Sequence, residues 1–187
     1  MNAFEDIVKL YLEEEGYWVR PSVKIEISKD DKKALGLSTM PRPEIDLVAL
    51  NVRENELVLV EVKSFLDSQG VFWENVCDEK GDYVYAKRYR LFTNKEFRKI
   101  VTKRLRQEYQ RRGLINEKTK INYALAVGKF HSSKDEGKIR EHFSKRGRDW
   151  KLFSPTEIKN RIKKLAEKGW EDNVVIMTAK LTKEVIA

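Results

Sequence analysis

A chain of 187 residues with 41% hydrophobic content suits one domain with a sizeable core. Lys and Arg outnumber Asp and Glu by 38 to 30, and the formal net charge of +8 favours an anionic partner, nucleic acid foremost. The single cysteine, Cys77, excludes an internal disulfide and fits a reducing compartment; residues 1–6 lack the basic and apolar regions of a signal peptide, and no apolar run spans a bilayer, so a cytoplasmic protein with no membrane partner is expected.

Residues 3–15 are predicted as a helix, because Phe4, Ile7, Val8, Tyr11 and Leu12 recur at helical spacing and Gly16 supplies a stop. Residues 17–27 alternate as a first strand. Residues 28–42 are polar, contain Gly36 and Pro41, and are expected as a connection, a flap beside the site. Two apolar segments follow, 43–50 and 57–64, read as strands joined by a hairpin loop at 51–56. Gly70 and Gly81 punctuate an irregular, aromatic-rich stretch. Residues 95–112 form a helix started by Thr93 or Asn94 and stopped by Gly113, and 120–128 form a further apolar strand. Beyond it come a weakly amphipathic helix at 132–146 and a short strand at 150–153. Ser154-Pro155-Thr156-Glu157 is a capping box with proline at the first helical position, opening a helix with Ile158, Ile162 and Leu165 on one face. Residues 173–178 read as a last strand. With no repeat and no low-complexity linker, the expectation is one α/β domain with a mixed sheet: a core over 1–130 and a C-terminal α/β extension over 131–187.

The chemistry is concentrated in the hairpin. Side chains alternate along a strand, so Glu61 and Lys63 share one face, and the hairpin puts Asp46 on the adjacent strand within reach of both. An ionised carboxylate in so apolar a strand costs several kcal/mol, roughly, unless it is paired or bound to a metal. Lys63 balances one acid; Asp46 adds a second. A hard divalent cation such as Mg²⁺, with Mn²⁺ as substitute, resolves the excess through carboxylate oxygens, and the main-chain carbonyl of Val62 offers another. That set suits metal-assisted phosphodiester hydrolysis, with Lys63 orienting or deprotonating a water, or neutralising developing charge. A plain cross-strand ion pair explains any two of the three residues, and explains all three less well.

These residues resemble the PD-(D/E)xK nuclease superfamily. The wording Glu44-Ile45-Asp46-Leu47-Val48-Ala49 followed by Val58-Leu59-Val60-Glu61-Val62-Lys63-Ser64 is most similar to its Holliday junction resolvase-like branch. The resemblance covers roughly residues 1–130 and implies a restriction endonuclease-like core of helix, three strands, helix and strand. It implies a metal-dependent deoxyribonuclease, an endonuclease, with Asp46 and Glu61 as metal ligands and Lys63 serving the attacking water. Pro43 is followed here by Glu44, so the matching aspartate is Asp46. Resolvase-like members also carry a glutamate on the first helix, which implies a role for Glu5; an acid near a helix N-terminus is favoured by the dipole in any case. Glu44, two residues from Asp46, is the substitute.

Residues 80–112 are basic and interleaved with aromatics: Tyr83, Tyr85, Lys87, Arg88, Tyr89, Arg90 and Phe92, then the helix. Phe97, Val101, Leu105 and Tyr109 form its core stripe. Arg88, Arg98, Lys99, Lys103 and Arg106 are expected to contact DNA phosphates, against the simpler reading of a solvated helix face. A homodimer would suit cleavage of two strands. His131 and His142 make no metal site with Cys77 and are expected at the surface; Trp18, Trp73, Trp150 and Trp170 are expected in the core or its rim. No glycine-rich phosphate loop is present. The competing readings are a non-catalytic nucleic-acid-binding module on the same fold and an assembly protein with a coincidental ion-pair cluster.

Overall fold

The computed structural model describes residues 2–36, 39, 41–78, 84–169 and 172–182; Lys80, Gly81, Tyr83 and Trp170 lie outside them. The elements run α1 (Ala3–Glu14), β1 (Trp18–Lys24), α2 (Lys29–Ala34), β2 (Glu44–Asn51), β3 (Glu56–Lys63), α3 (Trp73–Cys77), a 3₁₀ turn (Val84–Tyr89), α4 (Arg90–Thr93), α5 (Lys95–Arg111), β4 (Lys120–Val127), α6 (Ser133–Lys145), β5 (Trp150–Phe153), α7 (Pro155–Leu165) and α8 (Val174–Leu181). The fold is α/β, with one five-stranded mixed sheet in the order β1-β2-β3-β4-β5. The first three strands are antiparallel neighbours, whereas β4 and β5 run parallel to β3, reached through helical crossovers.

Apolar side chains cover both faces of the sheet. On one face Phe4, Val8 and Leu12 of α1 and Ile158 of α7 pack on Leu47, Ala49, Val58, Val60, Val62, Ala124 and Ala126. On the other, Phe97, Val101, Leu105 and Tyr109 of α5, with Leu91 and Phe92 of α4 and Ile139 and Phe143 of α6, pack on Val48, Leu57, Leu59, Leu125 and Val127. The central strands are therefore nearly continuous apolar runs, as sheets covered on both faces require. At the start of β3 the buried Glu56 accepts hydrogen bonds from Tyr17 at 2.8 Å, from Lys151 at 2.6 Å and from Asn122, tying β3, β4 and β5 to the residue that precedes β1.

One irregularity shapes the site. Leu47 faces α1, and strict alternation would send Ile45 the same way, but Ile45 packs in the α5-side core. The neighbouring strand switches faces too: Val19 packs on the α1 side, Val23 and Ile25 on the α5 side. The register pairs Pro21 with Leu47 and Val23 with Ile45, leaving Ser22 and Asp46 facing each other unpaired. Ser22 has φ +50°, a left-handed conformation costly for a residue with a Cβ. Two strands thus change face at a single matched kink.

Several expectations are corrected. Residues 173–178 form not a strand but the start of α8: the Asn173 side chain accepts the amides of Val175 (2.9 Å) and Ile176 (3.3 Å), an N-cap that outweighs the β-branched run. The polar connection at 28–42 contains α2, capped by reciprocal bonds between Ser28 and Asp31. The irregular stretch after β3 contains α3, the 3₁₀ turn and α4, and the first strand is shorter than 17–27. Among the described residues no helix is long and apolar enough to cross a membrane.

Candidate active site and its cationic cleft

The hairpin expected from the sequence is present, with Leu47 opposite Val60 as the last register pair of β2 and β3. Beyond it the ladder stops, although Asp46 and Glu61 come next. Asp46 Oδ2 instead accepts the main-chain N–H of Val62 at 2.7 Å. The two strands separate at this point, and the Asp46 carboxylate sits in the opening. A residue's N–H and C=O leave a strand on the same side, so the Val62 carbonyl faces this opening too.

Glu61 Oε1 and Lys63 Nζ are 2.5 Å apart, both side chains largely buried at 16% and 17% exposure. Burial pushes the Glu61 carboxyl above its ordinary value; Lys63 opposes that, and the negative charge of Asp46 adds to it. Tyr89 completes the surroundings. Its ring lies 5.7 Å from Lys63 Nζ, and its hydroxyl is pushed up by burial and then by Glu61. Beyond Lys63 the chain is held from the β4 side: the Gly128 amide donates to the Lys63 carbonyl at 2.8 Å, and a Cβ at Gly128 would collide with the Ser64 backbone.

A cleft of about 450 Å³ opens beside Glu61, walled by Arg42, Glu44, Lys87, Arg88, Arg90 and Phe97, among others. Asp46 and Lys63 are not part of its wall. Four cations and Glu44 line the cleft that opens beside the buried Glu61, so an anion taken up on that wall would lie next to an acid, and a divalent ion between them would reconcile the two. The residues present fit such an ion in part. Two electrostatically coupled carboxylates and the Val62 carbonyl are hard oxygen donors, and Lys63 alone leaves the ionised Glu61 under-compensated. Among the described residues no group of three or more His, Cys, Asp and Glu side chains is arranged to hold a metal.

The structure thus brings Asp46, Glu61 and Lys63 together. Glu5 is the N3 partner of the α1 capping box, its two carboxylate oxygens accepting the Asn2 amide at 3.1 Å and the Asn2 side chain at 2.7 Å. Glu44 is exposed on the cleft wall. Of the cations expected to meet phosphate, Arg88 lines the cleft, and Lys99 and Lys103 are exposed on α5. Arg98 and Arg106 each donate to main-chain carbonyls of neighbouring segments. Arg98 donates to the carbonyls of Leu91 (2.7 Å) and Phe92 (3.2 Å) and stacks 5.1 Å from the Trp150 ring. Arg106 donates to the Thr119 carbonyl at 2.9 Å and that of Glu117 at 3.4 Å. His142 is half-buried against Phe143 and Trp150 rather than at the surface, and burial lowers its pKa. Trp18, 75% exposed, is not in the core.

Sequence reading missed Arg42, whose only signal was its charge within a polar connection; Lys87, Tyr89 and Arg90 were visible merely as members of a basic run. Comparison of the chain with protein-family models, with curated proteins and with solved structures returns no match.

Proposed function

We propose that the chain is a metal-dependent deoxyribonuclease, acting as an endonuclease on a restriction endonuclease-like core of the PD-(D/E)xK kind. The observation that carries this reading is the Asp46 carboxylate seated where β2 and β3 part, on the amide between Glu61 and Lys63. That bond satisfies the Val62 amide, and it also brings a second negative charge to the buried Glu61, which Lys63 alone does not balance and a phosphodiester-cleaving site uses.

In this reading Asp46, Glu61 and the Val62 carbonyl would hold Mg²⁺ or Mn²⁺. When bound, the ion supplies charge neutralisation at the phosphate and acidifies a water. Lys63, whose ammonium lies 2.5 Å from the Glu61 carboxylate, is the group placed to orient the attacking water or to neutralise developing negative charge. Arg42, Lys87, Arg88 and Arg90 draw in the backbone and position it without reading sequence. Apolar packing on both sheet faces holds the strands that present these groups.

The test is incubation with Mg²⁺ or Mn²⁺ and a panel of duplex, single-stranded, flap and four-way-junction DNA. Metal-dependent cleavage abolished by Lys63→Ala is expected. Failure to cleave any substrate, or equal cleavage by Lys63→Ala, overturns the reading. One observation favours a second reading, a non-catalytic nucleic-acid-binding module: among the described residues no group of three or more His, Cys, Asp and Glu side chains is arranged to hold a metal. Salt-dependent binding without cleavage, unchanged in Asp46→Asn, would establish it.

A further inference from the structure

A second cleft, of about 590 Å³, lies between β1 and the C-terminal half of α5. Its walls include Arg20, Ser22, Lys24, Arg104, Arg111 and Arg112, and Arg42 lines both this cleft and the one beside Glu61. The two are therefore neighbours sharing a cationic wall, and together they carry nine Lys or Arg side chains against four Glu.

Some of that charge is already spoken for. Arg42 pairs with Glu26 at 2.5 Å, Arg104 with Asp31 at 2.6 Å and Arg112 with Glu108 at 2.6 Å. Arg20, Lys24 and Arg111 are exposed, and among the described residues none of the three stands in an ion pair. Like charges gathered along a concave wall repel one another, and an anion seated there relieves that repulsion. The kink ties this wall to the chemistry. Strained Ser22 lines the second cleft, and the residue facing it on β2 is Asp46.

We propose that the β1/α5 cleft is a phosphate track, holding the backbone of the nucleic-acid segment that continues beyond the phosphate at Glu61. The proposal rests on the nuclease reading for its occupant and adds the second contact region. A substrate long enough to cross Arg42 gains the ion-release contribution of Arg20, Lys24 and Arg111; a short one occupies the Glu61 cleft alone.

The test compares the wild type with Arg20→Ala/Lys24→Ala/Arg111→Ala and with a charge-matched control, Lys159→Ala/Lys163→Ala/Lys164→Ala on exposed positions of α7, whose Ile158 packs on the opposite face of the sheet. Binding of a short duplex and of one three times as long is followed by fluorescence anisotropy in EDTA over a salt series. For the long duplex the cleft variant is expected to lose at least about tenfold in affinity, and its log K against log salt slope is expected to flatten by about two to three, near 0.9 per lost phosphate contact. The short duplex and the control variant are expected to match the wild type. A cleft variant that binds the long duplex like the wild type, in a protein that still cleaves DNA with metal, overturns the track and leaves the nuclease reading standing. A wild type with no salt-dependent binding of the long duplex overturns the track, and both readings fall only when that protein also fails to cleave DNA with metal. Should the triple variant not fold, Arg111→Glu on the exposed face of α5 carries the same comparison.

Discussion

The Asp46 carboxylate accepts the Val62 amide at 2.7 Å and so takes the place of the next main-chain bond between β2 and β3. One side chain therefore has two roles: it closes a broken ladder, and it presents a negative charge beside Glu61. The two roles separate by substitution. Asp46→Asn retains an oxygen for the Val62 amide and removes the charge. It is expected to melt within a few degrees of the wild type while losing metal-dependent cleavage by about a hundredfold or more, the scale of removing one key electrostatic group from an active site. Asp46→Ala leaves the amide unpaired and is expected to cost about 1–3 kcal/mol of stability as well. Thermal melts and cleavage rates on the two variants check this. Equal stability of Asn and Ala variants would show that the amide bond does not matter.

A second expectation concerns Glu61 and pH. Burial, reinforced by Asp46 and opposed by Lys63, raises its carboxyl pKa in the folded state. Between the unfolded value of about 4.3 and the folded value, the folded protein binds more protons than the unfolded chain. This contribution to stability is complete below the unfolded value and is lost as pH rises through the folded one. A divalent ion competes with that proton. Mn²⁺ is thus expected to raise the melting temperature little at pH 5 and more at pH 8. A concentration a hundred times the Kd gives about 2.7 kcal/mol, or about 5–10 °C for a chain of this size. The Glu61→Gln variant is expected to show no such shift at either pH, which differential scanning fluorimetry reads directly.

Arg98 and Lys99 are adjacent on α5 and are expected to behave oppositely. The Arg98 guanidinium satisfies two carbonyls of α4 and lies against Trp150, so Arg98→Ala is expected to destabilise the fold by about 2–3 kcal/mol, the scale of a charged hydrogen bond lost from a part-buried site. Lys99→Ala/Lys103→Ala, at exposed positions, is expected to move stability by no more than about 0.5 kcal/mol and to weaken DNA binding with a shallower salt slope. Chemical denaturation and anisotropy give both numbers. Weakened DNA binding by a fully folded Arg98→Ala would reverse the assignment.

The contrast between those two residues also explains what the sequence could convey. Periodicity located α1, the hairpin, α5, β4, β5 and α7, because each buries a face whose spacing matches its own geometry. The Asp46-Glu61-Lys63 constellation was legible for the same reason: three charges interrupt apolar strands at spacings a hairpin brings together. Helical spacing put Arg98 and Arg106 on one stripe, but it carries no information about which carbonyls lie under that stripe. The carbonyls of Leu91 and Thr119 come from neighbouring segments placed by tertiary packing. Residues 174–176 misled because Val, Val and Ile favour strands, while the deciding contribution is the Asn173 cap. The kink at Ser22 and Asp46 was invisible, since a positive φ at serine follows from the pairing of two strands and not from the residue itself.

Glu5 offers the last separable case. Its carboxylate accepts the Asn2 amide and the Asn2 side chain, the reciprocal half of a capping box in which Asn2 accepts the amides of Phe4 and Glu5 at 3.0 Å each. A glutamine keeps the main-chain half of that cap, its one amide oxygen accepting the Asn2 amide, and gives up only the exposed contact to the Asn2 side chain. If capping is what Glu5 does, Glu5→Gln is expected to retain both stability and cleavage within about twofold, whereas Glu5→Ala loses stability on the scale of about 0.5–2 kcal/mol for a damaged N-terminal cap. If the carboxylate is instead drawn to a metal at the opening of β2 and β3, Glu5→Gln loses cleavage while melting like the wild type, and the Mn²⁺ concentration needed for half-maximal cleavage rises. Measuring cleavage across a Mn²⁺ series for the Gln variant distinguishes the two directly, because a cap has no reason to change metal dependence.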